Sequence, residues 1–479
     1  MCALGLIMLV SFFFRFHELG TVPPGLLPDI AINGLDALKS LQTGDFKVFY
    51  PDNYGREGLM IWLDAASIAV FGANTLALRI PAAVFGTLTV LGIYLFSWQL
   101  FKEKIALLAA FFCSVSFWHV NFSRLGFRSI LVPFFIVFSM LFLWRAFEEK
   151  SQWMGIISGA FFGLGFYTYP SFRFAVLLLL GVLALWFIAL EQEKREFIKI
   201  SLAMLLTSSL ISLPIEIYFW LHPADLLERA EQVWVFSTPN PLFYFAKSII
   251  LHLAMFNIRG DPNWTHNVAG APELFWPIGI LFLIGLFISL RVIQKKNKMS
   301  YIMLFMWLFF LLLPGALTFE GIPHSQRVIG VIPPVMIFSA IGGVAAYDWL
   351  KSQLPKRTAT AIIILFIAII AFHGYHQYFI TWANNPDVQG ITAGFVNAGK
   401  LTSQLHHQGV QTILVANIEA VAVPYPDCNG LFLELLPTKE TRRLQPHIRL
   451  LPLVRAGLEV DPVVATEACP SPMTKNYTS

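Results

Sequence analysis

The sequence predicts an all-α polytopic membrane protein of about eleven spans, continued by a small C-terminal α/β domain outside the bilayer. Three observations carry that prediction. Of the 479 residues, 56% are hydrophobic and 15% aromatic, and only 13% are charged, roughly half the charged share of a soluble domain. The apolar residues gather into runs close to the ~20 residues a helix needs to cross a bilayer. Basic residues then fall mainly in alternate loops, as the insertion rule requires. Together these exclude a soluble multidomain enzyme, a disordered scaffold and a disulfide-rich secreted module. The net charge of +4 gives no case for nucleic acid, and four cysteines (Cys2, Cys113, Cys428, Cys469) build neither a disulfide framework nor a cysteine-rich zinc site.

The spans read at 1–19, 75–100, 104–120, 128–147, 152–168, 174–190, 197–220, 272–291, 299–316, 328–350 and 360–379. The first, which carries Arg15 near its end, lacks the basic stretch and small-residue cleavage site of a signal peptide and is read as a span. With the N-terminus in the cytoplasm, the inside loops hold Lys102, Lys104, Arg145, Lys150, Lys194, Arg195, Lys199, Arg291, Lys295, Lys296, Lys298, Lys351, Lys356 and Arg357. The short outside loops hold only Arg124, Arg128, Arg173 and Arg327. This topology divides the chain into a transmembrane domain, 1–379, and a soluble extracytoplasmic domain, 380–479, with two long outside loops at 20–74 and 221–271. In the tail, Thr392 to His407 has helical periodicity, and Val410 to Ala416 and His447 to Val454 read as buried strands. Cys428 and Cys469 both fall there, where an oxidising compartment permits a disulfide.

Ionisable residues at membrane depth mark function. Here the acids concentrate in the first outside loop: Asp29, Asp36, Asp45, Asp52, Glu57 and Asp64. The stiff Pro23-Pro24-Gly25-Leu26-Leu27-Pro28 turn delivers Asp29 to the head of a helix. Asp29, Asn33 and Asp36 then share one face, opposite Ile32, Leu35 and Leu38, as an interfacial helix requires. Asp is also a common helix cap, so spacing alone leaves Asp29 open to either role. A second interfacial element, with Leu59, Trp62, Leu63 and Ala66 as its apolar stripe, follows Gly55-Arg56-Glu57-Gly58. Arg56 and Glu57 make an ordinary surface pair, or the flanking glycines allow close backbone approach to something else.

Arg, His and Asn recur just above the spans: Trp118-His119-Val120-Asn121-Phe122-Ser123-Arg124 with Arg128, Tyr167-Thr168-Tyr169-Pro170 with Arg173, and Pro323-His324-Ser325-Gln326-Arg327. Each arginine alone reads as a residue snorkelling to lipid headgroups. Four beside a carboxylate-rich loop suit an anionic lipid ligand, because the guanidinium fork matches phosphate oxygens. In the second long loop, Asp261 and His266 are placed to ligate a metal or position a sugar, or to close an Asx turn. His373 and His376 have zinc-like spacing without a third ligand nearby, and no HExxH, Walker loop, dinucleotide loop or nucleophile elbow occurs.

These residues resemble the GT-C superfamily of integral-membrane glycosyltransferases. More narrowly, they are similar to the bacterial and archaeal branch near protein O-mannosyltransferases (dolichyl-phosphate-mannose–protein mannosyltransferase-like) and lipid A aminoarabinose transferases. The likeness spans nearly the whole chain. It rests on Arg15 to Pro24, Pro28-Asp29, Asn33 to Leu38, Gly44-Asp45-Phe46, Asn53 to Gly58, Leu78 to Pro81, Phe117 to Arg128, and Pro323-His324 with Arg327. The resemblance implies transfer of a sugar from a polyprenyl-phosphate carrier to an acceptor hydroxyl at the outer face of the cell membrane, typically with inversion. By motif match Asp29 is the general base, removing the acceptor proton. Arg124, Arg128 and Arg327, helped by His324, stabilise the leaving phosphate, while Asp36 and Glu57 orient hydroxyls. Arg56, Asn121, Tyr169, Arg173, Asp261 and His266 complete the expected substrate-binding set. No cofactor is required by these motifs, although a divalent metal is compatible with them. The implied partners are the lipid-linked donor and an acceptor protein, lipid or cell-wall glycan. One departure stands out: Asp29-Ile30 replaces the acidic Asp-Glu pair usual in such enzymes, which points to a different acceptor or weaker activity.

Two other classes compete. A secondary transporter would carry an internal repeat and acids at mid-membrane, but Glu216 is the only acid placed within a span and no repeat is visible. A non-catalytic membrane scaffold would leave the first-loop acids without a purpose.

Overall fold

The computed structural model describes residues 2–190, 192, 194–293, 299–407, 412–416, 449–450 and 462–466. Helices α1 (Cys2–Phe16), α2 (Pro28–Thr43) and α3 (Leu59–Phe71) open the chain, with a hairpin of β1 (Phe49–Tyr50) and β2 (Arg56–Glu57) before α3. There follow α4 (Thr75–Phe101), α5 (Glu103–Val115), α6 (Phe117–Leu125), α7 (Leu131–Glu148), α8 (Gln152–Gly165), α9 (Ala175–Ala189) and α10 (Lys194–Leu221). The second long loop contains α11 (Pro223–Val233) and α12 (Pro241–Ala254). Helices α13 (Trp276–Ile293), α14 (Met299–Ala316), α15 (Ile332–Gln353) and α16 (Lys356–Tyr375) complete the apolar part. Beyond them, α17 (Pro386–His407) leads to β3 (Thr412–Ala416), which pairs in parallel with β4 (Arg449–Leu450) and antiparallel with β5 (Pro462–Thr466). Cys428 and Cys469 lie outside the described residues.

The chain is a multi-pass membrane protein. Among the described residues, eight helical segments are long and apolar enough to cross a bilayer, or nine if the bent pair α5–α6 is one span. Two of the eleven expected spans are therefore short helices, α1 with 15 residues and α8 with 14. α8 stops early for a local reason. The amides of Phe166, Tyr167 and Thr168 bond to carbonyls only three residues back, tightening the turn, and Pro170 then begins a new element. The expected span 104–120 is broken: Ser116 is extended and α5 meets α6 at a 55° bend.

α7 and α15 lie at the centre of the bundle, whereas α9 and α16 turn most of their surface outward. Lipid gives helices no hydrophobic reason to associate, so contact depends on close backbone approach. At the α13–α15 crossing, a methyl added to Gly342 would stand 2.0 Å from the Leu281 carbonyl oxygen, and one added to Gly285 1.8 Å from that of Phe338.

The breaks near α1 expose backbone carbonyls that water cannot reach, and buried arginines bind them. Arg15, on α1, donates to the carbonyls of Cys113 and Ser114 at the end of α5 (3.2 and 3.0 Å). Arg124, on α6, donates in return to Phe14 near the end of α1 (3.0 Å) and to Val22 (2.9 Å). Arg79, on α4, holds Leu19 (2.9 Å) and Gly25. Among the described residues none of the three makes an ion pair; helix-end and loop carbonyl dipoles balance them instead. The segment that leads to Asp29 is thereby held by two arginines, at Leu19 and Gly25 by Arg79 and at Val22 by Arg124.

Gly342→Leu is expected to lower stability by about 3 kcal/mol through overpacking. The check is the thermal unfolding midpoint in detergent, with Gly5→Leu, where nothing lies within 4 Å of an added methyl, left unchanged.

Candidate active site

A cavity of about 310 Å³ opens beside the N-terminus of α2. The first loop forms one wall, with Asp29, Ile30 and Asn33 from α2 and Asn53 to Glu57 from the hairpin. Arg128, Tyr169, Arg173, His324 and Arg327 also line it, with Arg128 and Arg173 packed against the hairpin at Gly55 and Glu57.

Asp29 does not cap its helix. The N-cap position is Leu27, which makes no side-chain cap bond, and Pro28 and Asp29 follow inside the first turn. The exposed Asp29 carboxylate instead accepts the Asn53 amide on Oδ1 at 3.0 Å. Asn53, Tyr54 and Gly55 all have left-handed backbone, with φ of 53°, 61° and 78°, which costs a non-glycine residue about 1 kcal/mol or more. Two arginines hold this turn. Arg128 donates to the Gly55 carbonyl at 3.1 Å. Arg56 donates to the carbonyl of Asp52 (3.3 Å), to Asn33 Oδ1 (2.9 Å) and to the Asp36 carboxylate.

Asp36 is thus committed to Arg56 and does not line the cavity. Ile30, in place of the second acid, is 1% exposed and packs against Gly126. A carboxylate there would be buried without a cation.

Glu57 is 1% exposed and lies between two cations, Arg128 Nε at 3.6 Å and Arg173 Nη2 at 3.4 Å. Two guanidinium groups sharing one carboxylate keep net positive charge at the cavity wall. Their planes are also fixed, Arg128 over the Tyr169 ring (5.4 Å) and Arg173 over Phe219 (5.0 Å). Arg327 is aimed by Thr318 Oγ1 and the Glu320 carbonyl, both at 2.8 Å.

The structure therefore brings Asp29, Arg56, Glu57, Arg128, Tyr169, Arg173, His324 and Arg327 to one cavity. It does not bring Asn121, Arg124, Asp36, Asp261 or His266 to its lining. Arg124 is wholly buried on backbone carbonyls, and Asn121 donates to the carbonyls of Thr265 and His266 at 3.0 Å. Among the lining residues outside the expected site set are Asn53 and Asp225. Asn53 had the left-handed Asn-Tyr-Gly turn as a signal; Asp225, which accepts the Tyr218 hydroxyl at 2.6 Å, had none.

Behind the His324 wall, Asp261 accepts from His266 Nδ1 (3.0 Å), from the Ser325 amide and hydroxyl (2.8 and 3.0 Å) and from the Asn263 amide (2.9 Å). Burial works to raise its pKa, but these donors outweigh it and hold the carboxyl below its usual range. Glu273 moves the other way: burial first, then the nearby Asp261 charge, push it well above the ordinary value. Burial depresses His252 to about 4, so it is neutral and its Nε2 accepts the His324 amide at 3.1 Å.

The fold is that of the GT-C glycosyltransferases, in agreement with the resemblance read from the sequence. Residues 59–220 match the family model described as dolichyl-phosphate-mannose-protein mannosyltransferase, a match that begins after Asp29. An uncharacterised protein of Aquifex aeolicus is 24% identical over 67% of this chain, and the chain spans 59% of that relative's length. The oligosaccharyltransferase of Archaeoglobus fulgidus superposes with a TM-score of 0.59 at 15% identity, over 84% of this chain and 55% of that one. ArnT from Cupriavidus metallidurans, in the structure bound to undecaprenyl phosphate, gives 0.55 at 14% identity, over 87% of this chain and 83% of its own.

Glu57→Gln would leave Arg128 and Arg173 partly buried without their shared anion. Stability is expected to fall by about 3 kcal/mol, read from chemical denaturation of the detergent-solubilised protein.

Proposed function

We propose that this chain is an inverting glycosyltransferase, taking a sugar from a polyprenyl-phosphate donor and passing it to an acceptor hydroxyl, with Asp29 as general base. The observation that carries the reading is the convergence on one cavity of an exposed carboxylate, Asp29, with Arg128, Arg173 and Arg327. The archaeal oligosaccharyltransferase is known in complex with a dolichol-phosphate and ArnT with undecaprenyl phosphate, which supports a lipid phosphate as the donor's leaving group. The cavity lies on the side of the two long loops, in keeping with a reaction at the outer face of the cell membrane and an extracytoplasmic tail.

In the proposed step the acceptor oxygen attacks the anomeric carbon as Asp29 takes its proton, and the bond to the lipid phosphate breaks. Asn53 engages one oxygen of Asp29 and leaves the other for that proton. The arginines stabilise the charge that collects on the departing phosphate. Single displacement is favoured because Glu57 is tied to two arginines and Asp225 to Tyr218, leaving no second carboxylate placed as a nucleophile among the lining residues. Ile30 is buried against Gly126 and supplies no second acid beside Asp29, so the acceptor hydroxyl, on a lipid, protein or glycan, is held without one.

Asp29→Asn is expected to reduce transfer at least about 10³-fold while leaving donor binding unchanged, because the near-isosteric change removes the proton acceptor and leaves the arginines in place. A radiolabelled polyprenyl-phosphate sugar in proteoliposomes tests this. Equal loss of label from the donor by wild type and variant would refute the assignment.

A further inference from the structure

Two loops distant in sequence converge behind the cavity. Asp261 and His266 lie in the loop between α12 and α13, and His324 in the loop between α14 and α15. One potential ligand atom from each lies within 4.8 Å of the other two. Asp261 and His266 are 1% and 6% exposed, while His324 lines the cavity.

We propose that Asp261, His266 and His324 form a site for a divalent metal ion of the zinc class, set into the cavity wall that His324 lines. The inference stands independently of the transferase reading. Its first support is distance. Asp261 Oδ2 and His266 Nδ1 are 3.0 Å apart, and two ligands at ~2.0–2.1 Å from one tetrahedral ion are themselves about 3.3 Å apart. An ion can therefore replace the proton between them with little movement.

The second support is ligand chemistry. Two imidazoles and one carboxylate suit a borderline ion such as Zn²⁺ or Co²⁺; Ca²⁺ and Mg²⁺ prefer all-oxygen sets. Three protein ligands also leave one position open, as in zinc sites that bind water or substrate.

The third is the surrounding layer, which orients each ligand. Ser325 donates twice to the Asp261 carboxylate, and Glu273 accepts the Asp261 amide at 3.1 Å. Asn121 holds the His266 carbonyl, and the His266 ring stacks on Phe122 at 5.6 Å. His252 fixes the backbone of His324. Metal-ligating side chains characteristically have such outer partners, and mutating those alone weakens affinity about 10- to 100-fold.

The test uses the full chain in detergent, without a polyhistidine tag, stripped by chelator and titrated with Co²⁺ and then Zn²⁺. The expected result is about one Co²⁺ per chain with visible d–d absorption, displaced by Zn²⁺, and a Zn²⁺-dependent rise in the unfolding midpoint. His266→Ala and His324→Gln should each weaken binding at least about tenfold and remove the Zn²⁺-dependent rise. A wild-type protein with neither the absorption nor the rise overturns the site, as does binding that survives in both variants. If His266→Ala fails to fold, His324→Gln and the wild-type titration decide.

Discussion

A backbone carbonyl in a water-free interior must find a donor, and much of this structure follows from how that requirement is met where α1, α5 and the first loop end. Arg15 and Arg124 bind the end of each other's neighbouring helix, and Arg79 binds the segment between them. An unpaired buried polar group costs on the order of 1–3 kcal/mol, so these breaks would be untenable without side-chain donors. With them, the chain can leave α1, turn through residues 17–27 and begin α2 at a fixed place. Asp29 stands where it does because Arg79 and Arg124 hold the peptide that precedes it, while Arg15 ties α1 itself to the end of α5.

The same residue type serves two purposes a few ångströms apart. Arg15, Arg79 and Arg124 direct their terminal nitrogens mainly at carbonyls and do not line the cavity. Arg128 and Arg173 share a single carboxylate and therefore retain an excess of positive charge at its wall. Arg56 falls between, neutralised by Asp36 and used to clamp the hairpin on α2. What separates the groups is the partner, carbonyl or carboxylate, and how many arginines share it.

That distinction explains what could be read from the sequence. The helices around Asp29 and after Gly58, the delivery of Asp29 by a proline-rich turn and most spans follow from the local sequence, and the structure has helices at those places. The clustering of Arg128, Arg173, His324 and Arg327 was also legible, since each sits just past the end of an apolar run. Arg124 was not separable from Arg128, because an arginine at a membrane boundary looks the same whether it faces phosphate or caps a helix. The Asp36–Arg56 pair and the approach of His324 to Asp261 depend on tertiary folding over long separations. The broken span was hidden for a similar reason: residues 105–118 are apolar apart from Ser114 and Ser116, and the break at Ser116 is stabilised by Arg15 on another helix.

The left-handed turn at Asn53 and Tyr54 also bears on how this chain can change by mutation. Asparagine tolerates that conformation and glycine adopts it freely, whereas a β-branched residue at either position would be opposed by the backbone before any contact in the cavity was made. The segment facing Asp29 is therefore open to only a narrow alphabet, whatever substrate the cavity comes to hold. Variation in specificity has more room elsewhere in the lining, at half-buried or exposed residues such as Leu226, Trp234 and Gln326.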